Sequence, residues 1–430
     1  MSLTKTKEVS PKPARLARSR IAVDIGSTVV KIARIGESGG IESQQQFPRD
    51  FEAGIARQVE SLLERFGVPP ESEDVVVCSS ANGGLRIGIV CLSKHYSGAA
   101  LRNQVLLAGA NPVFVHDLDE EGGSLTRVDM LLVGGGIDSA DAAPLERRLR
   151  RFQPARYRFG TLAYAGNSRL AGLFVELFSG AAVIPNPLAE TLAGRTLSVF
   201  EAVRRAYLDD LVYKEGVSEL RSNLSKGIRP TPEIVSQGFQ RALAKSSGIE
   251  VFGACVVLDI GGATTDLHYT VEIVRDDSEQ RPSAGASVAR FVFTDLGIVA
   301  SRDSLVLELR SHPRLYEFLK SVLDSGVREI YQSMREGEYD ASPLLLSYGC
   351  LFIALERFAH GRGPGLPTAD LTRIAQIILT GGASQTMAEK IVGRVFELFR
   401  AENSGVPVIL IDRRYQMWVD GITWSGHASI

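Results

Sequence analysis

The chain has 430 residues, of which 44% are hydrophobic and 23% charged, and a formal net charge of −2. That length allows two or three globular domains, and the near-neutral balance gives no electrostatic case for nucleic acid as a ligand. Cys78, Cys91, Cys255 and Cys350 are scattered without C-x-x-C or Cys/His ligand spacing, which argues against a zinc site or a disulfide framework and fits a reducing cytoplasm.

Residues 1–19 are rich in Lys and Arg with no apolar segment behind them, and read as a disordered basic tail rather than a secretory signal. No run of about 18 apolar residues is present to span a bilayer, so no membrane partner is expected. The next segment, IAVDIGSTVVKIARI around Asp24, runs a β-branched strand into Asp-x-Gly, small hydroxyl residues and a second strand. This is the pattern of a tight hairpin that gathers backbone N–H groups, hydroxyls and one carboxylate at one point. Ile55, Val59, Leu62, Leu63 and Phe66 then recur at helical spacing and predict an amphipathic helix.

From residue 75 to 185 the pattern changes to short apolar strands, at VVVCS, PVFVH, MLLVGG, GTLAYAG and AAVIPN, separated by helices near Gly98–Gly109, Pro144–Phe152 and Ser168–Phe178. Continuous apolar strands between helices imply a parallel sheet covered on both faces, here a separate doubly wound unit. Residues 186–255 read as a helical connection, broken where Pro230 and Pro232 set a boundary. Residues 256–430 form a further α/β unit. It opens on VVLDIGGATTDLHYT around Asp259, a second Asp-x-Gly hairpin 235 positions after the first, and contains IILTGGASQTM with the order strand, Gly-Gly, helix at Gly381 and Gly382. Within it Asp295 is a candidate helix cap, and His360 reads as a helix-end or loop residue.

Two facing hairpins of this kind suit a polyphosphate and its metal. A hydrolysable polyphosphate needs a magnesium ion and a positioned water, and carboxylates serve both. Asp24 is therefore the candidate holder of hydrated Mg2+, and Asp259 the candidate that orients or deprotonates the attacking water; both are candidate metal ligands. Gly26, Gly261 and Gly262 let backbone approach phosphate oxygens, with Ala263 beside them, and Ser27, Thr28, Thr264 and Thr265 add hydroxyl donors. Lys31 is a candidate charge partner at the phosphates, and Gly381, Gly382 and Ala383 are candidates to carry a base or sugar. No G-x-x-x-x-G-K-[ST] occurs, and the VGGG run at Val133–Gly136 does not complete G-x-G-x-x-G.

The order of phosphate hairpin, phosphate hairpin and adenosine segment resembles that of the actin, sugar kinase and DnaK-type ATPase superfamily. Within it the chain resembles the glutamate-mutase-associated MutL/GlmL family, through DIGSTVVK at Asp24–Lys31, CSSANGGLR at Cys78–Arg86, LLVGGGIDS at Leu131–Ser139, YAGN at Tyr164–Asn167, PTP at Pro230–Pro232, DIGGATTD at Asp259–Asp266, TDLG at Thr294–Gly297 and LTGGAS at Leu379–Ser384. TDLG lacks the acidic residue expected before it, and the RHAG-like segment stands as RFAHG at Arg357–Gly361.

The resemblance implies an α/β, two-lobed actin-like ATPase of duplicated ribonuclease-H-like domains. The doubly wound unit would then be an insert, with 20–74 the first part of lobe I and 256–430 lobe II. It further implies ATP and Mg2+ in the cleft, and a reactivating role toward an adenosylcobalamin-dependent mutase or aminomutase, exercised by releasing damaged cobalamin. A small-molecule kinase of the same superfamily and a filament-forming actin-like ATPase are the alternatives. A dehydratase activator is disfavoured, because it would need paired cysteines for an iron–sulfur cluster.

Overall fold

The computed structural model describes residues 19–423 apart from 38, 81–84, 109, 121–122, 189–201, 204–205, 207–223, 226, 279–281, 283–286, 364–365 and 400–404. The basic tail, the middle of CSSANGGLR and nearly half of the expected helical connection therefore lie outside the described residues.

The first sheet contains β1 (Arg20–Ile25), β2 (Val29–Ile35), β3 (Ile41–Pro48), β4 (Val75–Ser79) and β10 (Ile228–Pro230), in the order β10-β4-β1-β2-β3. β1, β2 and β3 are antiparallel, while β4 and β10 join in parallel. A second sheet repeats the plan with β11 (Cys255–Ile260), β12 (Thr265–Thr270), β13 (Val288–Phe293), β14 (Gln376–Thr380) and β15 (Val408–Ile411), in the order β13-β12-β11-β14-β15. Three antiparallel strands followed by two parallel ones, twice over, is the duplicated ribonuclease-H-like plan of a two-lobed actin-like ATPase. The expected fold class is borne out. No helix among the described residues is long and apolar enough to cross a membrane.

Helix α1 (Ile55–Arg65) buries Ile55, Val59, Leu62 and Leu63, as its spacing predicts. Burying each such side chain contributes roughly 1.5–3 kcal/mol before entropy is charged against it.

The third sheet is the inserted one, and all of its pairings are parallel: β5 (Arg86–Cys91), β6 (Asn111–Asp117), β7 (Ser124–Gly135), β8 (Tyr157–Gly166) and β9 (Ala182–Val183), in the order β6-β5-β7-β8-β9. Helices α2 (Ala99–Leu107), α3 (Ala143–Leu149) and α4 (Ala171–Leu177) fall where the pattern put them. The assignment of Val75–Ser79 to this sheet is corrected. That strand pairs with β1 in the first sheet, and Arg86–Cys91, not singled out from the sequence, takes its place in the insert. Both are apolar runs buried on two faces, so alternation carries no information about which sheet they join.

Two helices cross between the lobes. α5 (Thr231–Leu243) leaves the first sheet, and its Val235, Phe239 and Ala242 join a core that includes Cys255 and Val257 of the second sheet. After the helices α6 (Arg302–Ser311), α7 (Leu315–Val322), α8 (Val327–Glu336), α9 (Pro343–His360) and α10 (Glu389–Glu397) comes α11 (Gln416–Thr423). α11 leaves the second lobe and packs Trp418, Val419 and Ile422 on Ala22, Ala33 and Cys78 of the first. Glycines bring α5 and α11 close together: a Cβ on Gly238 would strike the Met417 carbonyl, and one on Gly421 the Ile234 carbonyl.

Candidate nucleotide site

Both hairpins close in the same way. The N–H of Gly26 donates to the Val29 carbonyl at 2.9 Å, and that of Gly261 to the Thr264 carbonyl at 2.9 Å. A Cβ at Gly26 would stand 2.8 Å from the carbonyl oxygen that its own N–H binds, so the turn is available only to glycine.

Asp24 is the penultimate residue of β1, opposite Lys31, and is 3% exposed. Its Oδ2 accepts from Lys31 Nζ at 2.9 Å, and its Oδ1 accepts from Thr231 Oγ1 at 2.6 Å and from Cys78 Sγ at 3.4 Å. Trp418 Nε1 in turn donates to Cys78 Sγ at 3.1 Å. Lys31 also stands 4.5 Å from the centre of the Tyr415 ring. Burial, the largest single influence, would lower the Lys31 pKa, but Asp24, Tyr415 and Asp259 together outweigh it and hold the ammonium above its ordinary range. Burial, then the Asp24 charge, pushes the Cys78 thiol well up, so it acts as a neutral hydrogen-bond donor.

Asp259 is the matching residue of the second hairpin, and its register partner is Asp266. Where the first hairpin pairs Asp with Lys, the second pairs Asp with Asp. Burial and the neighbouring Asp266 and Asp24 push the Asp259 carboxyl up to about 7, against the opposing pull of Lys31 and Arg290. Asp266 does not face its fellow carboxylate unneutralised: Arg290 Nε donates to its Oδ1 at 2.9 Å. Burial still raises the Asp266 carboxyl above its ordinary value, with Arg290 opposing.

The hairpins face one another. A Cβ on Gly262 would lie 2.8 Å from Thr28 Cγ2, 2.9 Å from Thr28 Oγ1 and 3.4 Å from Ser27 Oγ, so this glycine of one hairpin sits against the hydroxyl residues of the other. Gly381, with φ of +86°, turns the chain at the end of β14, and a Cβ there would run into Asp259 Oδ1. After Gly381 the chain forms a short 3₁₀ turn over Ala383–Thr386 before α10 begins at Glu389, where the sequence predicts a helix directly. Ser384 Oγ and Gln385 Nε2 both donate to the Gly381 carbonyl.

The structure thus gathers Asp24, Gly26, Ser27, Thr28 and Lys31 with Asp259, Gly261, Gly262 and Gly381, while Gly382 and Ala383 lead away along the 3₁₀ turn. Thr265 points elsewhere. It is fully buried, and its hydroxyl donates to the Leu296 carbonyl at 2.8 Å, bracing the hairpin instead of facing a ligand. Leu296 belongs to the TDLG segment, and the residues just after it extend the brace: the N–H groups of Val299 and Ala300 donate to the Gly262 carbonyl, and Ser301 Oγ donates to that of Ala263 at 2.7 Å. Asp295 does not cap a helix. Arg357 of the RFAHG segment donates to both its oxygens, at 2.9 and 2.7 Å. His360 is the last residue of α9.

Sequence reasoning gives no site role to Thr231, Cys78, Trp418 or Arg290. The PTP and CSSANGGLR segments, which contain Thr231 and Cys78, are the signals that could have pointed to two of them. Among the described residues no cluster of three or more His, Cys, Asp or Glu side chains is placed to hold a metal.

A family model described as MutL protein matches residues 20–422. The chain belongs to the MutL family. Protein MutL of Clostridium tetanomorphum is 25% identical over 264 residues, covering 58% of this chain and 57% of that one; the chain therefore spans little more than half the length of this MutL relative. Among solved structures, an activator of the 2-hydroxyisocaproyl-CoA dehydratase from Clostridium difficile with bound ADPNP is 8% identical with a TM-score of 0.34, covering 94% of this chain and 92% of the other. A nucleotide-free acetone carboxylase is 10% identical with a TM-score of 0.39, covering 94% and 70%. The MutL match spans both hairpins, the insert and both crossing helices.

Proposed function

We propose that this chain is an ATP-dependent reactivating factor for an adenosylcobalamin-dependent mutase or aminomutase, in which ATP hydrolysis drives lobe movement that releases damaged cobalamin. One observation carries the mechanical half of this reading: each crossing helix begins at the site. Thr231, the first residue of α5, holds Asp24. Asp412 holds the start of α11 by accepting from the N–H groups of Gln416 and Met417, and it also accepts from Thr380 Oγ1 beside Gly381. A change at either end of a bound nucleotide thereby acts on a helix that joins the lobes, which is what hinge closure requires. The reactivating half rests on membership of the MutL family and its association with glutamate mutase.

In this reading Ser27, Thr28 and Gly262 receive the phosphates, with the backbone and hydroxyls of both hairpins as donors. Asp259, poised near neutrality, takes the proton of the attacking water. The donor set suits magnesium, since two carboxylates on opposed hairpins leave the remaining positions to water and phosphate oxygens. Bound magnesium would supply neutralisation of the phosphate charge. Asp24 would face it through its waters, because both its oxygens already accept from Lys31, Thr231 and Cys78. The insert of residues 75–185, with β4 excluded, is the proposed docking surface for the mutase.

The test is release of inactive cobalamin from a carbon-skeleton mutase or aminomutase of the same cell, followed by absorbance with this protein, ATP and Mg2+. ATP-dependent release supports the reading. Phosphate transferred to an added metabolite instead of to water would assign the chain to the kinases, and ATP-dependent light scattering to the filament formers.

A further inference from the structure

We propose that Arg290 is a positioning residue that ties the inserted sheet to the second hairpin, so that nucleotide at the hairpins moves helix α2. This rests on the nucleotide reading above. Arg290 lies in β13 and is 2% exposed. Its Nε donates to Asp266 Oδ1 at 2.9 Å, and its Nη2 contacts the same oxygen. Its Nη1 donates to the Leu106 carbonyl at 2.5 Å and lies 3.4 Å from that of Ala110.

Those carbonyls sit in the last turn of α2 and in the link to β6. A helix end carries unpaired carbonyls and partial negative charge, which a guanidinium satisfies. Burying a guanidinium is costly unless its donors are met, and here they are met from β12 of the second lobe and from the end of α2 in the insert. A planar fork holds such partners in fixed relative positions, whereas a flexible ammonium does not.

The duplicated fold provides a comparison within the molecule. The registers Asp24↔Lys31 and Asp259↔Asp266 align the two lobes, and the pairs Ala33↔Gln44 and His268↔Arg290 extend the match. Gln44 thus stands in lobe I where Arg290 stands in lobe II. The buried arginine belongs to the sheet whose β13 packs against α2, and it is not a general feature of the duplicated plan. The seam beside it also has room to shift: a cavity of about 720 Å³ is lined by Leu106, Asn111 and Val113 of the insert, Ala263 and Thr264 of the second hairpin, and Phe293 of β13. Movement of β12, whose Asp266 pairs with Asp259 of β11, therefore passes through Arg290 to α2 and changes the surface that the insert offers.

Hydrogen–deuterium exchange over residues 99–110 of the full chain, with and without Mg2+ and AMPPNP, tests this, alongside calorimetric AMPPNP affinity. The wild type should show exchange in the last turn of α2 slowed about fivefold or more by nucleotide, the lower end of ordinary allosteric coupling. In Arg290→Lys, which keeps a cation beside Asp266 but cannot fork, AMPPNP at a saturating concentration set from that variant's own calorimetric affinity should slow it by less than about twofold. Arg290→Met should abolish the response; if its urea midpoint shows that it does not fold, Arg290→Lys carries the comparison. An α2 that ignores bound nucleotide in the wild type, or responds undiminished in Arg290→Lys, overturns the coupling alone. Absence of AMPPNP binding to the wild type removes the nucleotide reading and the coupling together.

Discussion

Replacing Gly262 by alanine tests whether the two hairpins form one site. Gly262 has no need of positive φ, so alanine fits its backbone, and the whole effect comes from the added methyl group. That methyl would stand 2.8 Å from Thr28 Cγ2 and 2.9 Å from Thr28 Oγ1, where carbon atoms in contact need about 3.5–4.0 Å. The hairpins must separate by roughly 0.7–1.2 Å to admit it. A misplacement of about 1 Å at a reacting centre costs on the order of 100-fold in rate, so Gly262→Ala should lower kcat/KM for ATP, followed as phosphate release, by about that factor. The nucleotide-free chain can yield by opening, so its urea midpoint should correspond to a change within about 0.5 kcal/mol. Thr28→Ser in the Gly262→Ala background removes Cγ2, frees the hydroxyl to rotate and should restore part of the loss. Turnover and AMPPNP affinity of Gly262→Ala within twofold of wild type would refute the facing-hairpin arrangement.

Asp259→Asn should reduce phosphate release by about 10²–10⁴-fold, the usual contribution of a general base, while the wild-type kcat/KM should climb as pH rises through about 7. The same carboxyl affects stability. Its pKa is higher folded than unfolded, so the folded state binds the extra proton between about pH 4 and pH 7. Unfolding free energy of the nucleotide-free protein should therefore fall with rising pH across that window, a slope that urea titrations of Asp259→Asn should lack. Thr231→Val leaves Asp24 Oδ1 without its 2.6 Å donor and should cost about 1–3 kcal/mol in urea denaturation, with weaker AMPPNP binding in calorimetry. Gly421→Ala drives a methyl into the Ile234 carbonyl at the helix crossing, and thermal unfolding should register a loss of about 1–3 kcal/mol or more.

The two hairpins were legible because their cause is local. Asp-x-Gly between β-branched runs makes its turn from backbone geometry within six residues, and the second copy repeats it. The helix of Ile55–Arg65 was legible for the same reason, since its apolar stripe fixes which side turns inward. Sheet membership was not legible. Val75–Ser79 and Arg86–Cys91 are both buried on two faces, and nothing in an apolar pentad says which neighbour it pairs with.

By itself, then, the chain's order of residues determined the turns, the helix faces, the duplicated plan and the short set of candidate phosphate-binding groups. Only the tertiary structure decided what those groups touch. Thr231 reaches Asp24 across 207 positions, Trp418 reaches Cys78 across 340, and Arg290 reaches Leu106 across 184. Such pairings are set by packing of whole lobes and by the need to satisfy buried charge. Neither leaves a periodic mark along the sequence.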